Sequence, residues 1–222
     1  MKLFFGPNKD RQVTVCTDVR DCLPIDRRYQ YQDGFSMAEA AKSWVAAAGH
    51  LPKNIANMVG SKELLAAHFE YPTRVWGGGI AMTDIMAFLP NSIIAVEAKV
   101  NEPFDDLVSA WIFREEKKNA ESPPHRTGVI QRYAQAFGIK SEKLLDIRYQ
   151  LLQRTLCAAL TARAQGASQA WMLVQSFASP SGGDGHLTNR SDFDRFTTLL
   201  GSSPNIEGVC VRIGWVSDKA TD

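Results

Sequence analysis

The sequence predicts an α/β domain, a mixed sheet flanked by helices, and three observations carry that reading. Ile93 to Val100 is a short run rich in Ile, Val and Ala, as a central strand requires. Ala170 to Phe177 is a second such run. Between them, Lys143 to Gln165 holds apolar residues at helical spacing and stops at Gly166, so helix and strand alternate along the chain.

Taken in order, residues 1 to 35 read as short strands and turns, with alternation over Gln12 to Thr17 and a turn at Asp33-Gly34. Ser36-Met-Ala-Glu39 has the form of a capping box opening an Ala-rich helix that ends at Gly49. A second helical stretch, broken near Gly60, is expected from about Pro52 to Phe69. Residues 83 to 100 then read as a β-hairpin turning at Pro90-Asn91.

Residues 104 to 118 predict a charged helix, Asn119 to Thr127 an exposed loop that contains Ser122-Pro-Pro124, and Val129 to Phe137 a short helix. After the long helix and the strand come a loop over Ser181 to Gly185, a helix over Ser191 to Leu200 and a last strand over Gly208 to Val216.

Composition narrows the classes. Apolar residues make up 45% and charged residues 22%, which is globular and excludes collagenous or disordered chains. A length of 222 residues fits one domain, with two cramped. No apolar stretch approaches a membrane span, the N-terminal apolar run is too short for a secretory signal, and the four cysteines lack zinc or disulfide spacing. A cytoplasmic protein with reduced thiols and no membrane partner is expected. The 25 basic residues nearly balance 24 acidic ones, so nucleic-acid binding has to be local.

The hairpin carries the chemistry. Acid-x-Lys occurs at Glu97, Glu115 and Glu116, but only Glu97 and Lys99 lie in an apolar strand, where charge is costly without a purpose. Alternation puts both on one face, with Val96, Ala98 and Val100 on the other. A turn through Leu89-Pro90-Asn91-Ser92 sets Asp84 opposite Glu97, with Cβ atoms about 4.5 to 5.5 Å apart. Two facing carboxylates repel, yet they suit a hard cation. Lys99 then stands one pleat away, placed for a water or phosphate oxygen.

With Asp84 as first acid and Glu97-Ala98-Lys99 as acid-x-Lys, the chain resembles the PD-(D/E)xK nuclease superfamily, with Thr83 where the superfamily usually has Pro. The resemblance implies a restriction-endonuclease-like αβββαβ core over about residues 52 to 178 within a single domain of residues 1–222. It further implies Mg²⁺ (or Mn²⁺) held by Asp84, Glu97 and the Ala98 carbonyl, Lys99 positioning the attacking water, and phosphodiester hydrolysis, in DNA above RNA. Restriction, repair and defence roles, and pairing of two copies, stay open. The alternative is a catalytically silent nucleic-acid- or protein-binding module, or an Asp84 strand cap beside a structural Glu97–Lys99 ion pair.

Supporting residues follow. On a wheel begun at Leu144, Arg148 falls inside the apolar arc, so its guanidinium either seeks phosphate or an active-site acid or snorkels to a structural partner. Gln150, Gln153 and Arg154 lie nearer the polar side. Related nucleases line their sites with such residues, and Gln150 joins Arg148 as a substrate candidate, whereas solvation is the simpler expectation for all three. Glu70, read as ending a helix, is either a further metal ligand or a solvated acid. Gly77 to Gly79 suggest a turn or a phosphate approach. Lys117, Lys118, His125 and Arg126 suggest a basic rim. None of the four histidines has zinc or triad spacing, and the five tryptophans are expected in the core.

Overall fold

The computed structural model describes residues 2–76, 79–118, 125–178 and 185–219. Its centre is a seven-stranded mixed sheet. The strands are β1 (Leu3–Phe5), β2 (Ala66–Arg74), β3 (Ile80–Phe88), β4 (Ser92–Lys99), β5 (Gln169–Ala178), β6 (Asn205–Ile206) and β7 (Val209–Lys219), in the order β1-β2-β3-β4-β5-β7-β6. β2, β3 and β4 form an antiparallel meander, β4, β5 and β7 are parallel, and short strands close both edges.

Helices cover both faces, as a sheet with a parallel half requires. α1 (Cys16–Cys22), α2 (Ser36–Ala46) and α3 (Lys53–Val59) pack on one face. Their core holds fully buried Trp44 and Ile55 against Phe69, Ile94 and Val96. α4 (Val108–Lys118), α5 (His125–Phe137), α6 (Tyr149–Ala164) and α7 (Gly185–Leu200) belong to the other. There Leu152, Leu156 and Phe196 meet Met86, Ala95 and Val174.

Several expected elements shift, each for a local reason. The stretch expected to be helical to Phe69 is helix only to Val59, because Gly60 takes a left-handed φ of 73° that ends it. Ala66 to Arg74 is instead a strand, where aromatic and β-branched residues and Pro72 suit a pleated surface. Pro72 lies beyond the Ala67–Phe69 segment that β1 covers, so its missing N–H faces an open edge. Cys16 to Cys22 is helical, and only a Phe4–Gln12 bridge remains of the strand expected from Gln12 to Thr17.

The long helix starts at Tyr149, preceded by a 3-10 turn over Ser141–Leu144, which makes Arg148 its N-cap. α7 begins six residues earlier than expected. The residues at 77 and 78, at 119 to 124 and at 181 to 184, where a glycine turn and parts of two loops are expected, lie outside the described residues, and His125 to Thr127, expected in the first loop, open α5. Among the described residues no helix is long and apolar enough to cross a membrane.

The hairpin register follows its turn. Leu89 N donates to the Ser92 carbonyl at 2.9 Å, and Ile85, Met86, Ala87 and Phe88 pair with Val96, Ala95, Ile94 and Ile93. The ladder stops at Ile85–Val96, one residue short of the expected Asp84–Glu97 pair.

Between β2 and β3 the register is continuous on both sides of one unpaired position, Glu70 opposite Asp84, where Glu70 has a φ of 50°. Both strands slip there. His68 and Tyr71, three apart, share a face with Phe88, and Thr83 and Met86, three apart, both face α6, beside Cys157 and within its core. Each strand therefore carries one extra residue, and each extra residue is an acid.

Candidate active site

Strand alternation delivers Glu97 and Lys99 to the α6 face while Val96, Ala98 and Val100 enter the opposite core. Glu97 is 1% exposed and its two oxygens are fully engaged. Oε2 accepts from Arg154 Nε at 2.5 Å, and Oε1 accepts from Gln150 Nε2 at 2.6 Å and meets Lys99 Nζ at 2.9 Å. Lys99 is itself buried, its ammonium 5.4 Å from the Phe104 ring centre.

Asp84 reaches the same place from β3. With β3 slipped at this position, its Oδ2 accepts the Ala98 amide at 2.8 Å and replaces the ladder partner that strand separation removes. The two acids are thus neighbours across adjacent strands, as the turn-derived register predicts, but joined through a backbone amide and not as a cross-strand pair. Glu70, on β2 and not at a helix end, is buried beside them and bound by Arg27 Nη1 at 3.3 Å. Three carboxylates therefore occupy consecutive strands β2, β3 and β4.

The charges settle unequally. Burial and the Glu97 charge push the Asp84 carboxyl up to about 8, against the pull of Arg154 and Lys99, with Glu70 adding to the rise. Burial also penalises the Glu97 carboxylate, but Arg154 and Lys99 outweigh it and hold this acid below its usual range. Burial works against the Lys99 cation, and Glu97 and Asp84 more than compensate, so the ammonium stays charged. Glu97 is held ionised between two cations, and half-buried Asp84 takes up a proton more readily than an ordinary carboxyl.

α6 furnishes the opposite wall. Arg154 was expected near the polar side, yet it is 6% exposed and directed into the site. Eleven of the sixteen α6 residues are buried, so the helix is covered nearly all round and its apolar arc alone does not mark the inward side. With Leu151 and Ala158 both buried, residue 154 lies one turn from each on the inward face. Gln150 is on Glu97 rather than in water, and its Oε1 also accepts the Asp105 amide at 3.3 Å. Gln153 stays on the rim, donating to Tyr149 Oη at 3.4 Å. Arg148 does find an acid, with Nε 2.6 Å from Asp192 Oδ2 on α7, but as a helix cap that ties two helices together.

Of the expected basic rim, the side chains of Lys117 and Lys118 lie outside the described residues. His125 is exposed, and Arg126 folds onto Trp111, its guanidinium 4.6 Å from the ring centre. Trp44 and Trp215 are buried as expected, while Trp76, Trp111 and Trp171 are partly covered. One histidine without sequence signal does border the site: His186 Nδ1 lies 2.8 Å from Ser176 Oγ on β5, and Ser176 is the register partner of Lys99.

The donor set of Asp84, Glu97 and the Ala98 carbonyl has the oxygen chemistry of a hard cation that keeps several waters. Among the described residues no three His, Cys, Asp or Glu side chains converge as a ready-made metal centre. A cation entering here has to compete with the proton that the raised Asp84 pKa favours and draw Glu97 partly away from Arg154.

Comparison with known families matches the chain to a domain of unknown function, DUF6946, over residues 12–220. No curated protein and no solved structure matches the chain. The match spans nearly the whole sequence, the site strands and α7 included, and the chain therefore belongs to the DUF6946 family.

Proposed function

We propose that this protein is a metal-dependent nuclease that hydrolyses phosphodiester bonds, in DNA before RNA. One observation carries the reading. Asp84, Glu97 and Lys99 meet at the C-terminal end of β4, a strand whose other buried side chains are apolar, and two acids and a lysine cost stability there unless they serve chemistry. With α4 and α5 taken as an insertion after β4, the order α3, β2, β3, β4, α6 and β5 is compatible with a restriction-endonuclease-like core. Four free cysteines suit a reducing, cytoplasmic setting.

Asp84, Glu97 and the Ala98 carbonyl would hold Mg²⁺ or Mn²⁺, which when bound lowers the pKa of a water and offsets charge on the phosphate. Lys99, charged and fixed by Glu97, orients the attacking water or a phosphate oxygen. Arg154 keeps Glu97 ionised and ready as a ligand.

A second reading, a nucleic-acid- or protein-binding module without catalysis, is favoured by the Arg154 guanidinium, which already supplies Glu97 with the positive charge a metal would bring. Calorimetric titration with Mn²⁺, alongside cleavage of mixed DNA and RNA substrates, separates the two. The nuclease binds Mn²⁺ and cuts. The silent module does neither, and Asp84→Asn leaves its binding of nucleic acid or protein unchanged.

A further inference from the structure

α7 lies outside the strands and helices that bring Asp84, Glu97 and Lys99 together, yet its first turns are built onto the end of β4. Gly185 packs so closely on Asn101 that a Cβ there would run into the Asn101 carbonyl. Asn189, fully buried, donates from Nδ2 to the Glu102 carbonyl at 2.9 Å and accepts the Phe104 amide on Oδ1 at 3.2 Å. One turn further, Asp192 holds Arg148. These contacts fix α7 to the segment that follows Lys99.

What this placement presents is His186. Lys99, Ser176 and Ser217 are register partners on the parallel strands β4, β5 and β7, so Ser176 stands one strand spacing, about 5 Å, from Lys99. Ser176 is fully buried, and its hydroxyl meets His186 Nδ1 at 2.8 Å. The Trp215 ring packs edge-on against the imidazole at a centroid distance of 5.6 Å and fixes its plane. Arg190, one helical turn along the same face, lies 5.5 Å from the Trp215 ring centre. C-terminal ends of parallel strands are where open α/β sheets bind ligands.

We propose that His186 is a substrate-contacting residue. Ser176 donates its hydroxyl proton to Nδ1, so that Nε2 carries the ring proton and donates it in a hydrogen bond to a phosphate oxygen of a nucleic-acid strand crossing the ends of β4, β5 and β7. Ser176 is the positioning residue. Arg190, whose Nε is held by Asp194 Oδ1 at 2.9 Å, stands beyond His186 on the same helix face, and the strand passes Lys99 before it reaches His186. The assignment rests on the nuclease reading for what Lys99 does, but it names atoms that can be tested apart from turnover.

The two ring nitrogens can be mimicked separately. Asn at position 186 restores a polar atom near Nδ1, and Gln restores one near Nε2. Cleavage of a mixed-sequence oligodeoxynucleotide with Mg²⁺ is measured with its binding by fluorescence anisotropy in EDTA, and thermal stability is followed throughout. His186→Ala should weaken binding and raise KM roughly tenfold or more, the scale of one charge-assisted hydrogen bond. His186→Gln should recover most of that loss, His186→Asn should not, and Ser176→Ala should lose less than His186→Ala.

If wild type cleaves while His186→Asn performs as well as His186→Gln, or His186→Ala stays within twofold of wild type, His186 is only a structural partner of Ser176 and the proposal is overturned. If wild type binds the oligonucleotide without cutting it, and the Gln-over-Asn order holds in binding, the contact stands and the nuclease reading falls. If wild type neither binds nor cuts, both fall.

Discussion

Arg154 and Glu97, from α6 and β4, meet at 2.5 Å with both side chains withdrawn from solvent. A buried pair of this kind is weak evidence of stability in itself, because desolvation consumes most of the attraction, but removing one partner strands the other. Arg154→Ala should therefore lower stability by about 3 kcal/mol in chemical denaturation. Under the metal-site proposal, Mn²⁺ should raise Tm more in this variant than in wild type, since the cation no longer competes with the guanidinium. An equal rise in both proteins would place the ion elsewhere.

Asp84 gives a pH dependence of definite sign. Its folded-state carboxyl is raised to about 8 from an ordinary value of 3.8, so the folded protein retains this proton after the unfolded chain has lost it. Its contribution to stability is present in full below about pH 4 and is lost as pH rises toward 8. Asp84→Asn keeps an acceptor for the Ala98 amide and does not ionise. In metal-free buffer it should match wild type near pH 4 and exceed it at pH 8 to 9 by on the order of 1–3 kcal/mol. A wild type that gains on Asp84→Asn between those limits would show that Asp84 is ionised throughout.

The same substitution and one at Lys99 separate binding from chemistry. Asp84→Asn should weaken Mg²⁺ affinity and turnover together. Lys99→Ala should leave the ion bound and reduce kcat by about 100-fold or more, because lysine is not a ligand in this scheme. Calorimetry and single-turnover cleavage, run on both variants, check each half of the statement. Loss of metal binding in Lys99→Ala would mean that the ammonium organises Glu97 as a ligand.

Gly185→Ala tests the docking of α7. The new methyl has only the Asn101 backbone to meet, so either α7 or the end of β4 has to move. Destabilisation by about 1–3 kcal/mol is expected, with faster amide hydrogen exchange in the first turns of α7 and at Asn101 to Phe104. Unchanged exchange there would show that the two segments are not tightly joined.

What was legible in the sequence was local. Pro90-Asn91 determines the hairpin turn, the turn determines the register, and the register brings Asp84 to the neighbourhood of Glu97 without any long-range information. Arg154 was legible in principle, since it sits one turn from Leu151 and from Ala158, but α6 is buried nearly all round and a wheel that follows only its apolar arc leaves Arg154 outside it. Glu70 was missed as a strand residue because Asn54 to Val59 is helical and the change of period after Gly60 is short. His186 had no signal at all. Its place depends on the pairing of β4 with β5, and the chain between Lys99 and Gln169 sets no register that can be read from spacing.

The paired slip at Glu70 and Asp84 also constrains how this family can vary by insertion and deletion. Losing Glu70 alone would turn the rest of β2 over, sending Tyr71 and Thr73 to the wrong layer, and losing Asp84 alone would do the same to Met82 and Thr83 on β3. Only the joint loss restores a regular ladder, and it removes two of the three acids in one event. Either single deletion therefore mispacks one strand, and straightening the sheet by the paired deletion gives up both acids, whereas substitution removes either acid and leaves the kink in place.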